Sequence, residues 1–208
     1  MNPILQLLGC FALFLLLVFG LGLPVVAALT IAAAEKIAAA AATGVLILYG
    51  SGLLFYGLDA PALAYWSLPL AAATLTWARW PACRTVLADQ ATQELAFSYL
   101  LAAAWALGFL ALVRSYSGAS WSLDWADHYE RALLFSRHWP ATHPIFGGDL
   151  LTTRPPLANV LTGTLLTLAG DGFPLFQIFS TLASSLAFLP AWLFARRFGP
   201  EYPAAPAL

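Results

Sequence analysis

Charge is what this chain has least of. Only 9% of its 208 residues are Asp, Glu, Lys or Arg, and Lys36 is the single lysine. A soluble domain carries roughly 25% charged residues, so an ordinary water-facing surface is excluded and the membrane class follows. Basic patches are missing as well. With a formal net charge of −1 nothing is available to release counterions from a nucleic acid, which is excluded as a partner. Cysteine is scarce. Cys10 and Cys83 lie in or beside apolar segments at neither disulfide nor metal spacing, and read as small hydrophobes in packed helices. No heptad or internal repeat is present. What remains is 61% hydrophobic with a mean hydropathy of +0.80, and reads as all-α, a polytopic transmembrane helical bundle.

The apolar runs set the spans. Ile4 to Ile31 is longer than the ~20 residues that a bilayer core requires. It lacks a basic n-region, which makes it a retained anchor rather than a signal peptide. Glu35-Lys36 marks a short turn, and Ile37 to Leu58 forms a second span that ends at Asp59-Ala60-Pro61. Pro61 to Trp80, with Pro69 and aromatic ends, reads as a short interfacial or re-entrant helix. Glu94 to Val113 is the third span. Pro155 to Ala169 is too short to cross upright, whereas Phe173 to Phe194 is a full span closed by Arg196-Arg197. Two portions follow: 1–92, with two spans and the interfacial helix, and 93–208. Placing Arg79/Arg84 and Arg196/Arg197 in the cytoplasm puts 115–171 outside; Lys36 then falls outside too, against the rule. The final Glu201 to Leu208 reads as a lead into a further helix, so that the chain is expected to be the front of a longer one.

Between the third and last spans lies the exception to all this. Ser115 to Asp171 holds all three histidines and half of the ten acidic residues. Ser122 to Arg137 reads as a helix N-capped by Ser122, with Asp124 in its first turn at the positive end of the dipole. At 3.6 residues per turn Asp124, Asp127/His128 and Arg131 share one face, and Trp125, Tyr129 and Ala132 form a neighbouring stripe. This predicts a surface helix, aromatic side on the headgroups and ionisable side free. A carboxylate with an imidazole one turn away suits a general base on a hydroxyl. The plainer alternative is an i,i+4 pair, Asp127–Arg131, on a solvated face. Further on, Gly147-Gly148-Asp149 precedes Arg154-Pro155-Pro156. An arginine fork suits a phosphate, and the two prolines fix the start of the next helix. His128, His138 and His143 are ten and five residues apart rather than i,i+4, so no metal site is assigned. No nucleophile-elbow sequence exists, and Ser117 and Ser120 read as loop residues.

These motifs resemble the GT-C membrane glycosyltransferases, nearest to glycosyltransferase family 39, with its protein O-mannosyltransferases and bacterial aminoarabinose transferases. The resemblance rests on an apolar span, an Asp-x7-Ala helix (Asp124 to Ala132, with Tyr129 near the family's aromatic) and Arg154-Pro155-Pro156-Leu157. Trp125 stands where the family usually has a second acid, and Thr153 where relatives often carry one; Asp127 and Asp149 are the nearest substitutes. The likeness covers about Leu95 to Arg197 and makes 93–208 the start of a catalytic membrane domain. It implies transfer of a sugar from a polyprenyl-phosphate donor to an acceptor on the extracytoplasmic side of a bacterial inner membrane. Asp124, with Asp127 as its alternate, would be the catalytic base. Arg154 would contact the lipid phosphate, and His128, Arg131 and Asp149 would line the substrate. No cofactor is expected, and a divalent metal has no support. The competing expectation is a non-catalytic polytopic protein, an assembly subunit or transporter component, whose polar loop binds a partner.

Overall fold

The computed structural model describes residues 3–112, 119–145, 148, 150 and 156–199. Its helices are α1 (Pro3–Val26), α2 (Ala33–Gly57), α3 (Ala62–Tyr65), α4 (Ser67–Ala78), α5 (Trp80–Leu87), α6 (Gln90–Leu112), α7 (Ala119–Ser136), α8 (Leu157–Ala169), α9 (Phe173–Ser185) and α10 (Phe188–Phe198). No strand occurs among the described residues. Four segments are long and apolar enough to cross a bilayer: Ile4–Val26, Ala33–Gly57, Gln90–Leu112 and Phe173–Phe198. The chain is a multi-pass, all-α membrane protein.

Proline and the few charges explain where these helices begin and break. Glu35 and Lys36 do not form a turn. They lie in the first turn of α2, where Lys36 Nζ donates to the carbonyl of Ala27 just beyond α1 (2.8 Å) and neutralises the negative end of that helix. Pro69 falls in the first turn of α4, where a missing N–H costs nothing. The last span is not continuous. Pro190 has no donor, and its ring crowds the carbonyl of Leu186 four residues earlier. The chain responds with tighter i→i+3 bonds from Leu186, Ala187 and Leu189, so the expected Phe173 to Phe194 helix is two helices with a break at 186–187.

Small residues decide how the helices meet. α1 and α2 cross antiparallel with their backbones touching. A methyl added to Gly22 would lie 1.9 Å from the Ala40 carbonyl oxygen, and one on Gly44 would lie 1.8 Å from that of Val18. Each glycine therefore points a Cα–H at a carbonyl of the other helix, the close approach that small residues permit in membranes. Gly52 of α2 leaves room for the side chains of Val160 and Thr164 of α8, and Gly163 of α8 lies against the Ala132 carbonyl and the Phe135 side chain of α7. α8, about 20 Å long, is thereby enclosed rather than lipid-facing: Asn159 through Leu166 are all buried.

α7 and α8 run parallel. His128 meets Asn159 and Ala132 meets Gly163, both across 31 positions of sequence. The chain joining them must return along α7. The Trp139 carbonyl accepts from Tyr56, Ile145 packs on Leu134 and Phe135, and the Leu150 carbonyl accepts from Arg131. Helices before and after residue 92 share one apolar core, with α9 on α1 and both α6 and α8 on α2.

Among the described residues, Lys36 and the arginines before α6 and at the end of α10 gather at one end, while Arg131 and Arg137 of the α7 region do not. Glu35, Ala91, Arg196 and Arg197 line a common cleft, and Arg196 pairs with Glu94 at 3.0 Å. Lys36 therefore belongs to the same end as Arg196 and Arg197, which removes the conflict the sequence presented. The reason is that α3, α4 and α5 carry the chain back along α1 in three short pieces, with Thr76 Oγ1 donating to the Gly20 carbonyl.

Candidate functional site

α7 begins at Ala119, so Ser122 lies inside the helix and is not its N-cap. Nor does the helix lay its whole ionisable row out to solvent: Asp124 is exposed and His128 half-buried, but Asp127 and Arg131 are buried. Trp125 and Tyr129 pack edge-on and tilted against Phe176 of α9, with ring centroids 5.7 and 5.4 Å away. That contact turns Asp127 and Arg131 to one side and Asp124 and His128 to another.

Asp127 and Arg131 form a buried pair instead of a surface one. Arg131 is wholly buried and Asp127 is 7% exposed. The guanidinium Nε donates to both carboxylate oxygens at 3.0 and 3.1 Å, and Nη1 donates to the Leu150 carbonyl at 3.2 Å. Charges so placed survive only when paired and hydrogen-bonded, and removing one partner costs about 3–5 kcal/mol. The pair thus clamps the returning segment to α7, on the chain's way to Arg154. Arg154 and Asp149 themselves lie outside the described residues.

On the other side, Asp124 and His128 face a cleft of about 260 Å³. Trp125 and Phe176 provide aromatic walls; Asn159, Thr162, Ser180 and Ser184 supply polar atoms. The imidazole Nδ1 of His128 is 3.1 Å from Asn159 Oδ1. Ser180 to Ser184 sit roughly 10–17 Å along the span from Phe173, so this polar group lies at depth in the bundle, where such residues are costly and usually functional. A second, mostly apolar trough of about 500 Å³ between α2, α8 and the α9–α10 break shares Ala158, Ala183 and Ser184 with the cleft. Sequence reasoning misses Asn159. Its only signal is a buried-type amide in an apolar run, three residues after Pro156.

The remaining histidines are elsewhere, and the three do not converge. Asp171, after α8, accepts from Ser136 Oγ (2.9 Å) and Arg137 Nε (2.8 Å), and its carbonyl accepts from Tyr129. Burial pushes the Tyr129 phenol up. His138 follows, with φ of 54°, opposite Asp59 with φ of 51°. Its Nδ1 lies 3.2 Å from the Asp59 carboxylate but off the hydrogen-bonding line, while Nε2 is 3.1 Å from the Tyr65 hydroxyl. Burial drives the Tyr65 phenol up to about 12. His143 lies tilted against Trp139, centroids 4.3 Å apart. Among the described residues no group of three metal-ligating side chains occurs.

No protein-family profile, curated protein or solved structure matches this chain, and the reading of the site rests on its own residues.

Proposed function

We propose that the chain is a membrane glycosyltransferase, or the front part of one, that moves a sugar from a polyprenyl-phosphate donor to an acceptor hydroxyl. The observation that carries this reading is the joining of a cleft holding Asp124 and His128 to an apolar trough through shared residues. An amphiphile with a polar head and a long hydrocarbon chain matches that pairing. The carboxylate–imidazole pair removes the acceptor's proton, the oxygen attacks the anomeric carbon with inversion, and the phosphate departs with the bonding pair. Arg154, with its fork and its place just before α8, is assigned to the leaving phosphate, the electrostatic role such a clamp has in general. Asp149, five residues earlier in the chain, is assigned to the same substrate, whereas Arg131 is committed to Asp127.

In this reading the basic end, with Lys36, Arg79, Arg84, Arg196 and Arg197, is cytoplasmic by the positive-inside rule. The end that bears Asp171 and His138 is extracytoplasmic, in a bacterial plasma membrane. The test is Asp124→Asn in the full-length chain, in proteoliposomes supplied with a synthetic polyprenyl-phosphate sugar, following release of polyprenyl phosphate. A loss of roughly 10²–10⁴-fold is expected. Undiminished release removes Asp124 from the mechanism. A donor bound but never consumed by the wild type makes the chain a lipid-binding subunit instead.

A further inference from the structure

The histidine of the cleft is held by a residue to which nothing in the sequence gives a role. Asn159 is the third residue of α8 and only 2% exposed. Its Oδ1 lies 3.1 Å from Nδ1 of His128. A side-chain amide oxygen only accepts, so Nδ1 carries the hydrogen and Nε2 keeps its lone pair. Nε2 has no protein partner among the described residues, and His128 lines the cleft. Asp124 sits one turn earlier on α7, where i and i+4 side chains are neighbours. From α8 and α9 the cleft receives only neutral polar groups, Asn159, Thr162, Ser180 and Ser184. An imidazole fixed through Nδ1 by a buried acceptor, with a carboxylate at its side and a bare Nε2, is arranged to receive a proton.

Resting on the transferase reading above, we infer that His128 Nε2 is the atom that takes the acceptor's proton, and that Asn159 is the positioning residue that sets its tautomer. The acceptor O–H bond breaks and an N–H bond forms at Nε2. The freed oxygen pair makes the new bond to the anomeric carbon, while the bond from that carbon to the phosphate oxygen breaks and leaves its pair on the phosphate. Asp124 stabilises the resulting imidazolium rather than taking the proton itself. That is why its neutral amide replacement still costs rate.

The experiment is nitrogen NMR of the full chain, labelled at its three histidines and held in lipid nanodiscs. His128→Gln identifies the His128 signal by its disappearance. Neutral His128 is expected in the Nδ1–H form. Asn159→Leu removes the acceptor and moves the population toward the Nε2–H form. Asn159→Asp keeps Nδ1–H and raises the titration midpoint by about one pH unit or more, because a carboxylate now faces the ring. A wild type in the Nε2–H form, or a tautomer unmoved by Asn159→Leu, overturns the inference. Should the leucine variant not fold, an unmoved midpoint in Asn159→Asp overturns it as well. None of these readouts needs substrate. A correct tautomer in a chain that never consumes donor therefore refutes the transferase reading alone.

Discussion

Gly44→Ala is the substitution that the α1–α2 seam should tolerate least. The added methyl would lie 1.8 Å from the carbonyl oxygen of Val18, and the mirror change at Gly22 would lie 1.9 Å from that of Ala40. Both obstacles are backbone and cannot rotate aside, so the helices must part by more than an ångström. Two Cα–H···O contacts are lost, each worth about 0.5–1 kcal/mol. The buried seam of Leu17, Leu21, Ala41 and Leu48 loosens with them, and overpacking of this kind costs about 1–3 kcal/mol or more. In a chain of this length each kcal/mol moves the melting midpoint by roughly 2–4 °C, so a fall of roughly 3–10 °C is expected. Gly50→Ala is the control. It lies on the same helix with nothing within 4 Å of the new methyl, and alanine's helix propensity gives it about 1 kcal/mol in its favour. Cys10 and Cys83 are free and buried, so a thiol-reactive fluorophore in mild detergent reports the unfolding. Equal midpoints for the Gly44 and Gly50 variants would refute the backbone-contact argument.

Three further outcomes follow from the buried groups. Arg131→Met should destabilise the chain by about 3–5 kcal/mol through the stranded Asp127 carboxylate, measured by denaturant titration; Asp127→Leu combined with Arg131→Met should cost less than the single change, and a merely additive double loss argues against a paired clamp. Asp127→Asn should lower stability more than it lowers turnover, since Asp127 is committed to Arg131; a loss of turnover at full stability would return it to the chemistry. Tyr65 should be the late tyrosine in an alkaline absorbance titration. Because its folded value is raised to about 12, its contribution to stability is intact below about 10 and lost as pH rises through about 12; Tyr65→Phe should erase that late step, and a step left in place refutes the assignment.

Much of the fold is legible in the order of residues. Spans one, two, three and the last are long, nearly chargeless runs, and burying each backbone polar group in lipid leaves helix as the only solution. The break at 186–187 is present in the sequence as Pro190, but periodicity alone averages across it. Glu35-Lys36 resembles a turn because charge suggests a loop; in fact a charge pair at a helix start is where the two dipole ends of a hairpin meet. The site is legible in part. Asp124 and His128 stand one turn apart on any helix, so their company follows from spacing. Whether that face meets solvent, lipid or another helix depends on neighbours more than thirty residues away.

By composition and order alone the chain is committed to a helical membrane bundle with one polar stretch, because hydrophobicity and backbone hydrogen bonding act over each segment by itself. Tertiary structure decided how that stretch is used. Gly163 and Gly52 let α8 in at the centre, the returning segment made α7 and α8 parallel, and the Trp125 and Tyr129 contacts with Phe176 set the rotation of α7. The ionisable row was thereby split into a buried Asp127–Arg131 clamp and a cleft shared by Asp124, His128 and Asn159. Packing between distant segments is a matter of which small residue faces which carbonyl, and no local pattern records that.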